Sequence, residues 1–391
     1  MIRSFMCKAV ESGWAWRTRM LSTMLCVLCA VTGAQAKAKA NENLSGVTIL
    51  NRRSCDNGYR LYSSRNSEEA HLIDIDGREV HRWSYPQGHT WHYAEMLPNG
   101  HLVAIAKDIT ILELDWNSQL VWQMKTRAHH DFARLANGNT LVVSRRTRTA
   151  PQINADKALS YDVIYERTPD NETVWEWNVE EHLNELAQLV HLILPCVKFN
   201  DWPHINTCES LPDSPTAKKD ARFRAGNILI CGRHIDTIAV IERETGKIVW
   251  AWGPGEILGP HMPTMLPNGH ILLYDNGQNA SVRVRRYTRV IELDPITNKI
   301  VWEYTADPPE SFYSPSRGSN QRLPNGNTFI AESDSGRLFE VTSAGHIVWE
   351  FLNPDRYKNG RRVALYRAIR YSRPMVDQLL AEHNGRRETG G

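Results

Sequence analysis

Short runs in which apolar and polar residues alternate recur along the chain, and most of them carry a tryptophan. The first run, Val80-His81-Arg82-Trp83, is a degenerate copy of the others. The five clearer copies are Val121-Trp122-Gln123-Met124, Val174-Trp175-Glu176-Trp177, Val249-Trp250-Ala251-Trp252, Val301-Trp302-Glu303-Tyr304 and Val348-Trp349-Glu350-Phe351. Alternation of this kind predicts half-buried β-strands. We expect the large rings to fill the space between packed sheets, and therefore to be core residues and not platforms for a ligand.

A turn motif interleaves with these strands. Its copies are Leu97-Pro98-Asn99-Gly100, Leu135-Ala136-Asn137-Gly138, Leu266-Pro267-Asn268-Gly269 and Leu323-Pro324-Asn325-Gly326. Asn-Gly between apolar runs is a strong hairpin signal, because both residues tolerate a positive φ. Arg224-Ala225-Gly226-Asn227 is a weaker version in the fourth unit.

Together the two motifs define a repeating unit of four strands, with the Asn-Gly turn after the first strand and the tryptophan on the last. Six such units predict an all-β fold, a six-bladed β-propeller over residues 45–371. We place the blades near 45–88, 89–127, 128–180, 201–256, 257–308 and 309–355. Val47-Thr48-Ile49-Leu50 and Ala368-Ile369-Arg370-Tyr371 are candidates for closing the ring.

Two insertions and a tail interrupt the repeat. Residues 181–199 predict a short helix between blades three and four, with an apolar side formed by Leu186, Leu189, Val190 and Ile193. Residues 212–223 are polar and predict a loop. The C-terminal tail, 372–391, is charged, and from Pro374 it predicts a short helix followed by disorder.

The N-terminal segment 1–36 predicts an export signal. Arg17 and Arg19 precede an apolar run from Met20 to Val31, and small residues follow up to Ala36. The run is short for a membrane span, so we expect a periplasmic or secreted protein without a stable span, and an uncleaved anchor is the alternative.

Composition adds two constraints. The net charge of the 391 residues is +2 and no basic run stands out, so nothing points to a nucleic-acid partner. Beyond the signal, four cysteines remain: Cys55, Cys196, Cys208 and Cys231. Their even number suits an oxidising compartment. The sequence is consistent both with a Cys196–Cys208 disulfide and with four buried free thiols.

Histidines recur at one position of the strand that lines the channel of a propeller. Five residues before the turn leucine lie His92 in blade two, His130 in blade three and His261 in blade five. Blade four has Asn206 there, and His204 lies two residues earlier on the same strand face. Four blades therefore send an imidazole toward one mouth of the channel.

Cations are predicted beside this cluster. Seven residues after the turn glycine, where the second strand returns to the same mouth, lie Lys107, Arg145 and Arg233. His129 is next to His130 in the sequence, so its side chain is expected on the opposite face of the strand.

Four imidazoles could hold iron or zinc, but the arginines would repel a cation, and no carboxylates occupy the matching positions of the repeat. Anion chemistry fits better, because arginine donates to sulfate, phosphate or carboxylate and a neutral imidazole can act as nucleophile or base. The chain has no glycine-rich phosphate loop, so no nucleotide is indicated.

Several segments spanning residues 70–370 resemble, in order, those of the bacterial arylsulfotransferase family. They are Asp201-Trp202-Pro203-His204-Ile205-Asn206, Cys231-Gly232-Arg233-His234, His261 with Leu266-Pro267-Asn268-Gly269 and Tyr274-Asp275-Asn276-Gly277, His129-His130-Asp131 with Leu135-Ala136-Asn137-Gly138, Gln321-Arg322-Leu323-Pro324-Asn325-Gly326, and Tyr366-Arg367-Ala368. The family is a six-bladed propeller that moves sulfate between phenols without a nucleotide donor or other cofactor.

The resemblance implies a role for each channel residue. His261 would be the nucleophile and carry a transient sulfohistidine, although Pro260 precedes it where the family usually has Gln. His204 and Arg233 would act with it on the sulfuryl group, and His130 would assist as base or donor. Asn206, His92, Arg145 and His129 would bind substrate. The partners would be an aryl sulfate and a phenol.

Three other functions are open. A propeller polysaccharide lyase or a hydrolase acting on sulfated glycans would use the same histidines and arginines. A non-catalytic binding propeller, or a metal-binding one, would use them without turnover.

Overall fold

Twenty-five strands make up most of the structure, a computed structural model that describes residues 44–87, 89–150, 154–190, 201–279 and 284–388. The first twelve are β1 (Gly46–Leu50), β2 (Tyr59–Ser64), β3 (Glu69–Ile73), β4 (Glu79–Ser84), β5 (Trp91–Met96), β6 (Leu102–Ala106), β7 (Thr110–Leu114), β8 (Leu120–Lys125), β9 (Phe132–Arg134), β10 (Thr140–Ala150), β11 (Asn154–Arg167) and β12 (Thr173–Asn178). The others are β13 (Ile205–Ser210), β14 (Ile228–Gly232), β15 (Thr237–Ile241), β16 (Ile248–Trp252), β17 (His261–Met265), β18 (Ile271–Asp275), β19 (Arg289–Asp294), β20 (Lys299–Tyr304), β21 (Ser319–Arg322), β22 (Thr328–Glu332), β23 (Arg337–Val341), β24 (Ile347–Leu352) and β25 (Leu365–Tyr371).

The strands form six antiparallel sheets, which are the six blades of a β-propeller. Blades two to five are consecutive four-stranded units, β5–β8, β9–β12, β13–β16 and β17–β20. The innermost strands of neighbouring blades contact one another, as for β13 with β17 and β17 with β21. The predicted fold class is therefore confirmed.

Both ends of the propeller take part in ring closure. The C-terminal strand β25 pairs with β2 and is the innermost strand of blade one, so that blade reads β25-β2-β3-β4. The N-terminal strand β1 pairs with β24 and is a fifth, outermost strand of blade six. The two closing segments suggested by the sequence are both used, but they pair with different blades and not with each other.

Tryptophans of the outer strands join each blade to the next. Trp302 Nε1 donates to the Ser343 carbonyl at 2.9 Å, and Trp349 Nε1 donates to the Ile75 carbonyl at 2.8 Å. Trp349 is fully buried, whereas Trp302 is half-buried. His81, in the degenerate first copy, keeps the contact through Nε2 and the Trp116 carbonyl at 3.0 Å. The repeat therefore preserves an interaction between blades as well as a core residue.

Three α-helices lie among the described residues: α1 (Leu183–Val190), α2 (Pro215–Lys219) and α3 (Arg373–Glu388). Short 3-10 helices span Val179–His182, Ala221–Phe223, Arg233–Ile235, Pro309–Ser311 and Ser333–Ser335. The helical insertion between blades three and four is present as α1, with Leu186 buried and Leu189 exposed. Residues 191–199 of the predicted helix, including Ile193, lie outside the described residues.

The loop predicted for 212–223 is instead partly helical. Ser214 caps α2 by accepting a hydrogen bond from the Ala217 amide, and Pro215 occupies the first helical turn, where its missing N–H costs nothing. Asp220 caps the following 3-10 turn in the same way. The segment 212–223 is polar because it contains capping residues, and such residues are as common at helix ends as in loops. Its composition therefore did not distinguish a loop from short helices.

The tail folds as α3, which runs longer than the short helix predicted. Val376 and Leu379 are buried against the core shared by blades one and two, and His383 stacks on Trp116 with ring centroids 4.7 Å apart. The predicted signal 1–36 lies outside the described residues. Within the described ranges, no helix is both long and apolar enough to cross a membrane.

Three of the four expected cysteines can be placed. Cys55, Cys208 and Cys231 are buried free thiols, and Cys196 lies outside the described residues. The buried-thiol alternative therefore holds for these three positions.

Candidate active site

Irregular backbone marks the ends of the inner strands where the histidines lie. β-Bulges interrupt β5 at His92 and β13 at Asn206, and the register of β17 also shifts just after His261. His130 and His204 have φ values of 64° and 65°, in the left-handed region that non-glycine residues seldom occupy. Bulges re-aim side chains, and such strain concentrates at functional sites.

The imidazoles of blades two to four form a continuous row across the channel. Ring centroids are 5.0 Å apart for His92 and His130, 4.5 Å for His130 and His204, and 4.5 Å for His204 and His234. Tyr366 stacks on His92 at 4.4 Å, and its ring centroid lies 5.9 Å from that of His130. Burial, followed by the neighbouring positive charges, lowers the pKa of His92 and His130 well below the usual value, so both rings are neutral at neutral pH.

His261 is held with one nitrogen free. Its Nδ1 lies 2.7 Å from Asn276 Oδ1, and Asn276 Nδ2 donates to the carbonyls of Ser314 and Arg317 at 2.6 and 2.9 Å. Because the amide nitrogen is committed to two acceptors, Oδ1 must accept from His261, and Nδ1 carries the proton. Burial and the charge of Arg233 hold the pKa of His261 well below its usual range. The ring is therefore neutral, and its lone pair is on Nε2.

Arg233 lies beside His261 without a carboxylate partner. Its Nη2 donates to the Pro315 carbonyl at 3.3 Å and its buried Nε has no partner within the described parts of the chain. No ion pair involving Arg233 is found there either. A guanidinium in this state can accept an anion without first breaking a salt bridge.

His130 and the closing strand meet at the channel axis. His130 Nδ1 hydrogen-bonds to the Tyr366 hydroxyl, and its buried Nε2 is unpartnered among the described residues. The next residue of β25, Arg367, pairs with Asp131 at 2.6 Å and donates to the Asn206 carbonyl at 2.6 Å. This buried ion pair ties blades one, three and four together directly beneath the imidazoles.

Two carboxylates orient the remaining histidines. Asp201 Oδ2 lies 2.8 Å from His204 Nδ1 and 3.0 Å from Arg145 Nη2. Burial opposes its charge, but the His204 hydrogen bond and the charges of His204 and Arg145 hold the pKa of Asp201 below its usual value. Asp162 faces fully buried His129, with Oδ1 3.1 Å from Nε2.

These carboxylates correct the sequence analysis, which found none to support the histidines. Asp201 precedes β13 and Asp162 lies on β11, the third strand of blade three, so neither follows the offsets of the inner strand. In the described parts of the chain, no group of three or more His, Cys, Asp and Glu side chains is arranged to hold a metal ion.

The predicted residues divide into two groups. His92, His130, His204 and Arg145 belong to the connected row just described, and His261 and Arg233 lie together on the blade-five side of His204. Asn206 is fully buried, and its Nδ2 donates to the Pro260 carbonyl at 2.8 Å, so it holds the residue before His261. His129 lies beside the row, with its ring centroid 4.8 Å from that of His130 and its Nδ1 3.5 Å from Arg145 Nη2, and it faces Asp162.

The sequence analysis quoted Asn276, Tyr366 and Asp201 within segments that resemble the family but assigned none of them a role in the site. Asn276 was within reach, because it lies seven residues after Gly269, the same offset that identified Arg145 and Arg233. Tyr366 was not, since β25 carries no turn motif from which to count. Asp201 lies outside the strands, so counting residues from a turn motif could not identify it.

Two cavities flank the row of imidazoles. One, of about 450 Å³, lies between blades three and four and is lined by Arg127, Arg145, Thr147, Ala158, Ser160, Asp201, His204 and His234. The other, of about 460 Å³, occupies the channel on the far side of the Asp131–Arg367 pair. Glu95 and Glu209 line it, and burial raises the pKa of Glu209 to about 8. Arg134, Arg322 and Arg367 also line this second cavity, so guanidinium groups lie on both sides.

The chain is similar to several solved structures. A protein of unknown function from Bacteroides caccae is 14% identical and superposes with a TM-score of 0.51, covering 81% of this chain and 100% of its own. A streptogramin B lyase is 11% identical with a TM-score of 0.48, covering 84% and 93% of the two chains. An inactive virginiamycin B lyase from Staphylococcus aureus, with quinupristin, is 10% identical with a TM-score of 0.45, covering 78% and 87%.

Sequence comparison identifies the family. No curated protein matches the chain. The family model described as Arylsulfotransferase (ASST) matches residues 93–354, which is more than half of the chain and runs from blade two through blade six. That match includes His130, His204, Arg233, His261 and Asn276. The chain therefore belongs to the arylsulfotransferase family.

Proposed function

We propose that this sulfotransferase moves a sulfuryl group from an aryl sulfate to a phenol through a sulfohistidine at His261. The observation that carries the proposal is the pairing of a neutral imidazole, its Nε2 free, with Arg233, a guanidinium that lacks a carboxylate partner. A nucleophile and a donor to the equatorial oxygens are what sulfuryl transfer needs, as in other displacements on charged groups.

In the first half-reaction, His261 Nε2 attacks sulfur. The N–S bond forms, the bond from sulfur to the aryl oxygen breaks, and the electron pair leaves on that oxygen as a phenolate. Arg233 donates to the sulfuryl oxygens. His204 joins it when the bound anion raises its pKa and its Nε2 gains a proton, because the Asp201 carboxylate already accepts from Nδ1. Asn276 accepts from Nδ1–H and so supports the positive charge that develops on the ring.

A single proton carrier balances the two halves. The anionic donor raises the pKa of His130, which binds a proton and passes it to the leaving phenolate. In the second half-reaction, neutral His130 removes the proton of the accepting phenol, its oxygen attacks sulfur, and the N–S bond breaks. His130 fits this role because the Tyr366 hydroxyl can donate to or accept from its Nδ1, whichever tautomer is present.

The test is turnover of 4-nitrophenyl sulfate with and without phenol, by the wild type and by His261→Asn. We expect nitrophenolate release that requires phenol, formation of phenyl sulfate, and a loss of at least about a thousand-fold in the variant, because the nucleophile is removed. A sulfated wild-type chain in intact-mass spectra after mixing with donor alone would identify the intermediate. His270→Asn is the matched control, since His270 is in the same blade but pairs with Glu292 at the surface.

Other outcomes would replace the proposal. Release that needs no acceptor would indicate a hydrolase. Unsaturated sugar products from sulfated glycans would indicate a lyase, and stoichiometric iron or zinc in the active protein would indicate metal chemistry. Ligand binding without turnover, unaffected by His261→Asn, would indicate a binding propeller.

We also propose that the chain is exported to the periplasm or secreted, on the basis of the charged, apolar and small-residue sequence of segment 1–36. Expression with a C-terminal tag should give a mature protein that begins near Ala36 and is found outside the cytoplasm. A full-length product retained in the cytoplasm would contradict this.

A further inference from the structure

An extended hairpin stands beside the candidate site. β10 and β11 contain 11 and 14 residues, whereas the second strands of the other blades contain 5 or 6. From Arg145 and Asp162 outward they pair with each other beyond the ends of β9 and β12, and Ser160 also forms an isolated bridge with Asp201. We call residues 145–150 and 154–162 the ribbon. It is attached to the site, since the Trp202 amide donates to the Ser160 carbonyl at 3.1 Å.

The ribbon and the segment before β13 enclose the 450 Å³ cavity. That volume is within the range of roughly 300–1,000 Å³ typical of small-molecule pockets. His204 is shared, because its ring faces His130 on the channel side and also lines the cavity. An aryl group whose reacting oxygen is at His261 and Arg233 can therefore extend past His204 into this space.

The charges and hydrogen-bond donors that line the cavity indicate which kind of ligand it can bind. Two guanidiniums, Arg127 and Arg145, face the carboxylate of Asp201, and the two imidazoles are neutral because burial lowers the pKa of His204 and His234. The lining thus has an excess of one positive charge. Arg145 Nε and Ser160 Oγ are both buried, and neither has a hydrogen-bond partner among the described residues. Arg127 donates to Thr147 Oγ1 at 3.3 Å and forms no ion pair in the described ranges.

We infer that this cavity is an acceptor subsite for phenols that carry a carboxylate across the ring from the reacting hydroxyl. The carboxylate would bind Arg127 at the open end, with Ser160 and Arg145 Nε as further donors. This inference rests on the proposed function, because it names the acceptor class of the same site. The polar lining and the unpaired donors favour such acceptors over plain phenol.

Acceptor selectivity tests the inference. With 4-nitrophenyl sulfate as donor, we expect a lower KM for 4-hydroxybenzoate than for phenol. Arg127→Gln should raise the KM for 4-hydroxybenzoate about ten-fold and leave that for phenol unchanged, because only one acceptor carries the carboxylate. Arg148→Gln is the matched control, since Arg148 is on the other face of the ribbon and pairs with Glu180. A wild type that prefers phenol, or equal effects of Arg127→Gln on both acceptors, would overturn the subsite.

A binding measurement separates this inference from the proposed function. Benzoate has no hydroxyl to sulfate, so its affinity can be measured by calorimetric titration whether or not the protein turns over. Binding to the wild type that weakens about ten-fold in Arg127→Gln supports the subsite even if no transfer is found, an outcome that would reject the transferase alone. Equal benzoate affinities for wild type and Arg127→Gln would overturn the subsite even if transfer occurs.

Discussion

Asn276 determines which nitrogen of His261 carries the proton. Its amide nitrogen is bound to two carbonyls, so its oxygen is fixed toward Nδ1 and leaves the lone pair on Nε2, the nucleophile that we propose. Burial of the ring, together with the charge of Arg233, disfavours protonation of His261. One neutral hydrogen bond thus sets both tautomer and orientation without adding a charge.

A carboxylate in place of this amide should shift the pH dependence of transfer. Transfer needs neutral His261, whose folded-state pKa is below the ordinary value of about 6.5, so the acid limb of log kcat/KM lies below that pH. In Asn276→Asp, the new carboxylate stabilises the imidazolium and raises the pKa, so the acid limb should move to higher pH. The measurement is kcat/KM for 4-nitrophenyl sulfate, with saturating phenol, from about pH 4.5 to about pH 8.

Asn268→Asp serves as the control for this experiment. Asn268 is in the turn of the same blade and bonds to His270 and Glu292 at the surface, so its profile should match that of the wild type. An acid limb in Asn276→Asp that stays in place, or moves to lower pH, would refute the role assigned to Asn276.

At the scale of elements, a three-residue unit recurs at four blade interfaces. The ring of a Trp on the fourth strand of one blade stacks against the guanidinium of an Arg in the next blade. That Arg forms an ion pair with a Glu on the third strand of the first blade. The four sets are Trp122, Arg134 and Glu113; Trp175, Arg243 and Glu166; Trp302, Arg322 and Glu292; and Trp349, Arg60 and Glu340. The tryptophan motif therefore supplies one side of the contact between neighbouring blades.

Removal of the indole N–H should cost more at the closing interface than at an ordinary one. In Trp302→Phe, the Ser343 carbonyl is exposed to water, so we expect a loss of about 1 kcal/mol in the free energy of unfolding. In Trp349→Phe, the Ile75 carbonyl and the Arg60–Glu340 pair are buried, so we expect about 2–3 kcal/mol. Urea denaturation monitored by circular dichroism measures both.

Val301→Ala, next to Trp302 with 51% of its surface exposed, should stay within about 0.5 kcal/mol of the wild type. Equal losses for the two tryptophan variants would show that burial does not set the strength of these interfaces.

The sequence predicted the elements better than the interfaces between them. Alternation and Asn-Gly turns are local, so the blades and the channel positions of His92, His130 and His261 could be read from spacing. The partners Arg60 and Glu340 are far apart in sequence and meet only because the ring closes. Asp162 and Asp201 reach the site from a third strand and a connecting segment, which no inner-strand offset describes.

At the scale of the whole molecule, ring closure and completion of the site are one event. β25 closes blade one and delivers Tyr366 to His130 and Arg367 to Asp131. Before β25 is in place, Asp131 has no cationic partner and His130 loses its hydroxyl contact. The C-terminal strand therefore supplies contacts to the candidate site as well as closure, which the sequence could not decide because β1 was an equally good closing candidate.

The Asp131–Arg367 pair should accordingly be the strongest test of closure. Arg367→Met leaves the buried carboxylate of Asp131 with backbone donors and no cation, among them the Cys208 amide at 2.9 Å, so we expect a loss of about 3–5 kcal/mol. The double variant Asp131→Asn/Arg367→Met removes both charges and keeps an oxygen for the Cys208 amide. We expect it to be more stable than Arg367→Met alone, which a double-mutant cycle in urea would show.

The dependence of stability on pH distinguishes an unpaired charge from lost packing. Burial already raises the pKa of Asp131 with Arg367 present, and removal of the cation raises it further. In Arg367→Met the folded protein would hold a proton that the unfolded chain releases above its ordinary pKa of about 3.9. Stability then falls as pH rises, by up to about 1.4 kcal/mol per pH unit until the folded-state pKa is passed. The double variant has no carboxylate at this position and should lack that added slope. The same slope in both variants would mean that Arg367 stabilises the ring by packing, and not by neutralising Asp131.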